Sequence, residues 1–178
     1  MPTIISHAAV PLAGRVGLGT KRIPRALLIT GIAASMLPDA DVIFFHFGAS
    51  YDSSWSHRGF THSIAFALLV GTVAAFLLRR LAPPLTAFAF VFVTTASHGL
   101  LDMLTNGGHG VALFWPITDH RYFFEWRPIQ VAPLVTNDFM SRFAHRAASL
   151  ARTEALWIWA PAAIVAIALL AVRKGMPR

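Results

Sequence analysis

The chain has 178 residues, 56% of them hydrophobic and only 13% charged, with a mean hydropathy of +0.59. Soluble domains carry about twice that charged fraction, so the composition argues for a single unit embedded in a bilayer rather than a water-soluble enzyme. Cysteine is absent, which excludes a disulfide framework, a zinc ribbon and a thiol nucleophile.

In chain order, the first apolar stretch is IISHAAVPLAGRVGLG, interrupted by His7, Pro11 and Arg15. It lacks the charged leader and cleavage site of a secretory signal and is read as part of the mature protein. Residues 26–47 are long enough to cross a membrane but are broken by Pro38 and by Asp39 and Asp41. Residues 64–78 and 85–104 form a pair of spans joined through Arg79, Arg80, Pro83 and Pro84. Residues 155–172 are the cleanest span, since a helix of roughly 20 apolar residues crosses the hydrocarbon core. The expected fold is therefore all-α: a multi-pass transmembrane bundle of four to five membrane helices, one domain over 1–178. Its long polar and aromatic insert, 105–154, is expected as a loop region on the outer face.

Orientation follows from the basic clusters. Lys21, Arg22 and Arg25, then Arg79 and Arg80, then Arg173, Lys174 and Arg178 fall on one side when the spans alternate. That side is cytoplasmic by the positive-inside bias. Such end clusters account for the net charge of +7 without invoking nucleic acid, which would call for a basic stripe along a polar face. Trp55, Trp115, Trp126, Trp157 and Trp159 then gather toward the outer side as an interfacial collar. Arg121, Arg127, Arg142, Arg146 and Arg152 run against this bias, although a long loop translocates largely regardless of charge.

The polar residues inside the greasy segments carry the functional signal. His7 lies 14 residues from Lys21, Asp39 lies 14 from Arg25, and His98 lies 14 from Pro84. In regular helices each stands roughly 21 Å above the cytoplasmic edge. Asp41 and Asp102 sit slightly higher, and His57 and His62 of HRGFTHS approach the same layer from the outer loop. His98 and Asp102 are i and i+4 and share one helix face. In HRGFTHS a turn at Gly59, with Thr61 or Ser63 capping the next helix, lets both histidines point inward. An aspartate at membrane depth costs on the order of 2.5–3.5 kcal/mol, so three of them mark a functional site more than structural ion pairing with Arg58 or Arg15. Imidazoles and carboxylates without sulfur suit zinc first, then manganese or iron, with magnesium favoured as carboxylates increase. The plainer readings take His46 and His145 as satisfied core histidines, NGGHG (106–110) as a helix stop and turn, and His109 as a loop residue.

The motifs LPDAD, HRGFTHS, HGLLD followed by TNGGHGVALFWP, and RYFFEWRPIQVAP resemble the YdjM-type membrane-bound metal-dependent hydrolases, from about His7 to Pro133. Those are small bacterial inner-membrane proteins, themselves remotely similar to the helical zinc-dependent phospholipase C and P1 nuclease group. The resemblance implies a divalent-metal site built from His7, Asp39, Asp41, His57, His62, His98 and Asp102. It implies metal-assisted hydrolysis of a phosphoester or lipid-linked substrate, in a site toward the outer face of the membrane. Asp39 or Asp41 is the expected proton acceptor, and Arg58 the expected partner of an anionic headgroup or of developing negative charge. Two rivals stand beside it. A proton- or ion-coupled transporter predicts polar groups spread through the membrane depth and a repeated broken helix. A non-catalytic membrane scaffold with a structural metal predicts bound metal without turnover.

Overall fold

The computed structural model describes residues 1–48, 50, 53, 55–133 and 139–175, except for the side chains at 45, 46 and 139; His46 and Arg178 thus lie outside what is described. A 3-10 turn, Ile4–Ala8, leads into α1, Ala9–Leu18, and α2 follows over Arg25–Met36. A second 3-10 stretch, Leu37–Val42, runs into the short α3, Ile43–His46. The 3-10 turn Phe60–His62 opens onto α4, Ile64–Leu77, and α5 spans Pro84–Met103. The chain closes with α6, Phe139–Glu154, a π turn over Ala155–Trp159 and α7, Ala160–Gly175. Among the described residues there are no strands, only isolated backbone pairings at Thr105–Ile129 and Val111–Tyr122.

Local chemistry explains most of these boundaries. Ser63 caps α4 by accepting a hydrogen bond from the Phe66 amide at 3.1 Å, as expected. Pro84 sits at the start of α5, where its missing N–H costs nothing. Pro38 cannot donate to the Ala34 carbonyl, and the backbone there tightens from α to 3-10. The π turn at 155–159 lies just ahead of Pro161 and absorbs the bonding that proline removes, so the helix continues.

Helix α5 is the axis of the bundle. It packs on α4 and α2, while α1 packs on α7. Ile23, Leu27, Ala34, Ala74, Ala87, Phe90 and Val91 form the main apolar core between α2, α4 and α5. Gly31 leaves the space that the Phe90 ring fills, and a β-carbon there would collide with it. The outside is greasier than the inside: Leu68, Leu69, Val73, Phe76 and Leu77 of α4 and Ile164, Val165, Ile167 and Val172 of α7 are all exposed. That inversion suits a lipid surround.

Among the described residues, two helices are long and apolar enough to cross a membrane, Pro84–Met103 and the continuous Met140–Gly175; Ile4–Leu18 and Ile64–Leu77 are shorter apolar helices. The stretch expected as a span at 26–47 is instead α2 plus the 3-10 break and α3, because Pro38 interrupts it. Part of the expected loop region also folds differently. Residues 139–154 form α6, whose alternation of Arg142, Arg146 and Arg152 with Phe143, Ala147 and Leu150 conceals an amphipathic helix behind its charge.

Candidate metal centre

The site is assembled from four elements. The N-terminal 3-10 turn supplies His7, the Leu37–Val42 turn supplies Asp39 and Asp41, the 57–62 loop supplies His57 and His62, and α5 supplies His98 and Asp102. All seven side chains are buried. Helix α5 presents His98 and Asp102 on its one buried stripe, with Thr94, Thr95 and Gly99, as i, i+4 spacing requires. Gly99 matters for the approach of the loop, since a β-carbon there would stand 2.6 Å from the His62 carbonyl oxygen.

Two overlapping groups result. Ligand-capable atoms of Asp39, His62, His98 and Asp102 lie within 4.8 Å of one another, as do those of Asp41, His57 and His62. A 3-10 helix turns about 120° per residue, so aspartates two apart cannot point the same way. Asp39 faces His98, with Oδ1 3.3 Å from Nε2, whereas Asp41 faces His57 and His62. His7 stacks on His98, ring centroids 3.6 Å apart. Its Nε2 is 3.8 Å from Asp102 and 3.9 Å from Asp39.

The hydrogen-bond partners fix the tautomers. His98 Nδ1 donates to the Ser35 carbonyl at 2.7 Å, which leaves the lone pair on Nε2. His62 Nδ1 faces Asp41 Oδ2 at 3.2 Å, which likewise leaves its lone pair on Nε2. Burial lowers the His62 pKa to about 4 against the opposing pull of the Asp41 hydrogen bond, so the ring is neutral, the ligating form. The two Nε2 atoms meet at 3.1 Å. With both rings neutral this brings two lone pairs together, a contact that needs a proton or a metal cation between them. Ligands held about 2.0–2.1 Å from a tetrahedral ion stand about 3.3 Å apart. Nε2 of His62 to Asp102 Oδ2, at 3.6 Å, is close to the same spacing. Both nitrogens of His7, both oxygens of Asp39 and Nε2 of His57 are buried without a hydrogen-bond partner. This donor set could hold a divalent ion, and His98, anchored through its second nitrogen, has the outer support that ligating histidines usually show.

Asp41 has a different place from the one its sequence position suggests. It accepts from His57 Nδ1 at 2.8 Å, from Thr61 Oγ1 at 2.6 Å and from the Arg58 amide at 3.3 Å. It organises the loop and sets the rings of His57 and His62. Arg58 also departs from expectation, because its guanidinium is buried and already engaged. Nε pairs with Asp102 Oδ2 at 2.9 Å, Nη1 donates to the Gly107 carbonyl at 2.9 Å, and Nη2 donates to Thr105 Oγ1 at 2.8 Å. A headgroup would have to displace those contacts, so Arg58 fixes the Asp102 carboxylate instead. Its backbone is left-handed, φ 67°, so the strained turn falls on Arg58 and not on Gly59.

The sequence TNGG therefore does more than end α5. Gly108, at φ +93°, passes so close to Arg58 that a β-carbon would lie 2.7 Å from Nη1. Glu154 was not singled out from the sequence, yet it is buried and accepts from the Thr3 amide at 2.6 Å and from Ser6 Oγ at 2.5 Å. It ties the His7 turn to the end of α6. Its place beside an aromatic run beyond three arginines gave no local signal. His109 and His145 are exposed, which for His145 corrects the core reading. Trp55, Trp126 and Trp157 are exposed as a collar would be, with Trp126 packed edge-on against Trp157.

Comparison with known proteins places the chain among inner membrane proteins. Residues 1–176 match the family described as YdjM inner membrane protein. The chain is 44% identical over 163 residues to the inner membrane protein YbcI of Escherichia coli (strain K12), covering 90% of this chain and 92% of that protein. No solved structure matches. With the match running almost end to end, the chain belongs to the YdjM family of bacterial inner membrane proteins.

Proposed function

We propose that this protein is a membrane-bound hydrolase that holds a divalent cation, zinc first, and cleaves a phosphoester on a lipid-linked substrate. The observation that carries the reading is the buried convergence of His62 and His98, their Nε2 atoms 3.1 Å apart, with the Asp39 and Asp102 carboxylates. His62, His98, Asp39 and Asp102 would hold the ion, with His7 beside them and His57 as a further donor. When bound, a divalent ion supplies an acidified water and an electrophilic contact for the phosphoryl oxygen.

The chain's own residues supply the rest. Asp39 would ligate through one carboxylate oxygen and accept the water's proton on the other, neither oxygen having a hydrogen-bond partner within the chain. Arg58, through Asp102, and Asp41, through His57 and His62, hold the donors in register. Thr61 donates its hydroxyl proton to Asp41 and so orients rather than attacks. In this reading four to five segments cross the membrane, with the site toward the outer face beneath the tryptophan collar.

The test is turnover by detergent-purified protein on a panel of phospholipids and lipid phosphates, comparing wild type with Asp39→Asn. Release of a phosphorylated product by the wild type that is lost on chelation, restored by added metal and abolished in Asp39→Asn supports the proposal. Bound metal without turnover across the panel supports the scaffold reading. Ion flux in proteoliposomes with no bound metal supports the transporter.

A further inference from the structure

Next to the metal centre, the N-terminal turn and α6 enclose a recess of about 540 Å³ whose floor includes Asp39. That volume falls within the range of about 300–1,000 Å³ typical of small-molecule sites. Its walls are mostly apolar, with Ile4 and Ile5 from the N-terminal turn and Phe143, Ala147, Leu150 and Ala151 from α6; Glu154 also lines it but is engaged by Thr3 and Ser6. The four α6 residues recur at helical spacing and form one face, while Arg142, Arg146 and Arg152 fall on the remainder of the surface.

We propose that this recess receives the hydrocarbon chain of a single-chain phosphate amphiphile and so sets the phosphoester against Asp39. The inference rests on the hydrolase reading and narrows its substrate class. Two features favour this occupant. The recess is continuous with the centre through Asp39, and its lining offers a hydrocarbon chain apolar contact along its length. A purely water-soluble phosphoester would leave these walls unused.

The test uses hexadecyl phosphate carrying a diazirine at the far end of its chain, photolysed with the full-length protein in detergent and mapped by mass spectrometry. The label is expected on Phe143, Ala147, Leu150, Ile4 or Ile5, competed by unlabelled hexadecyl phosphate and not by glycerol phosphate. Ala147→Trp fills the recess and should weaken binding about tenfold, as denying burial to roughly two methylenes would. Label spread over the outward faces of α4 and α7, without enrichment on α6, overturns the proposal in the wild-type protein alone, whatever the variant does. Metal content measured on the same samples separates the two claims. Protein without metal but labelled on α6 defeats the hydrolase reading and leaves the chain site. Protein with metal but no label on α6 does the reverse.

Discussion

Helix α5 runs through two kinds of interior. Toward its start, Ala87, Phe90 and Val91 meet Ile23, Leu27 and Ala34 in an apolar core closed by fit, with Gly31 yielding to the Phe90 ring. Toward its end, His98 and Asp102 meet His7, Asp39, His62 and Arg58 in a buried polar layer with orphaned lone pairs. The first region is complete as it stands. The second holds its carboxylates and imidazoles together only with compensating charge, to which Arg58 contributes through Asp102. Damage at the two ends should therefore be felt differently.

The largest effect is expected from Arg58→Ala. It strips Asp102 of its buried partner and should cost about 3–5 kcal/mol of stability, measured by thermal unfolding in detergent after chelation. Added divalent metal should restore part of that loss, because the cation also offsets the Asp102 charge. Leu27→Ala, at the other end, should cost about 2–4 kcal/mol through the cavity it leaves, with metal content unchanged. Loss of metal in that variant would break the distinction between the two regions. Asp41→Asn should weaken metal affinity about 10–100-fold by loosening His57 and His62, read by competition with a chelator of known affinity. His145→Ala, on the exposed face of α6, should change stability by less than about 0.5 kcal/mol and leave metal binding alone.

How far the sequence disclosed this depends on the range of the interactions. The shared face of His98 and Asp102, the Ser63 cap and the break at Pro38 rest on contacts a few residues apart, and all were legible. The division of labour between Asp39 and Asp41 was not, because it follows from the turn becoming 3-10 and from partners 16 to 59 residues away, His57 for Asp41 and His98 for Asp39. Arg58 was legible as important, but its partners within the chain were not. Its partners Thr105 and Gly107 lie 47 and 49 residues along the chain, and nothing local shows that they enclose it. Glu154 was missed for the same reason, since its link to Ser6 spans 148 residues. The helix α6 was hidden by its arginines, which pulled a window average toward loop while the apolar spacing stayed helical.

The most direct measurement is elemental analysis of detergent-purified protein, wild type beside His98→Ala and Leu27→Ala. A stoichiometric divalent metal in wild type and in Leu27→Ala, lost from His98→Ala, is the expected result. Wild-type protein that folds and holds no divalent ion, even after incubation with zinc, would mean that a shared proton rather than a metal joins His62 to His98, and would contradict the account.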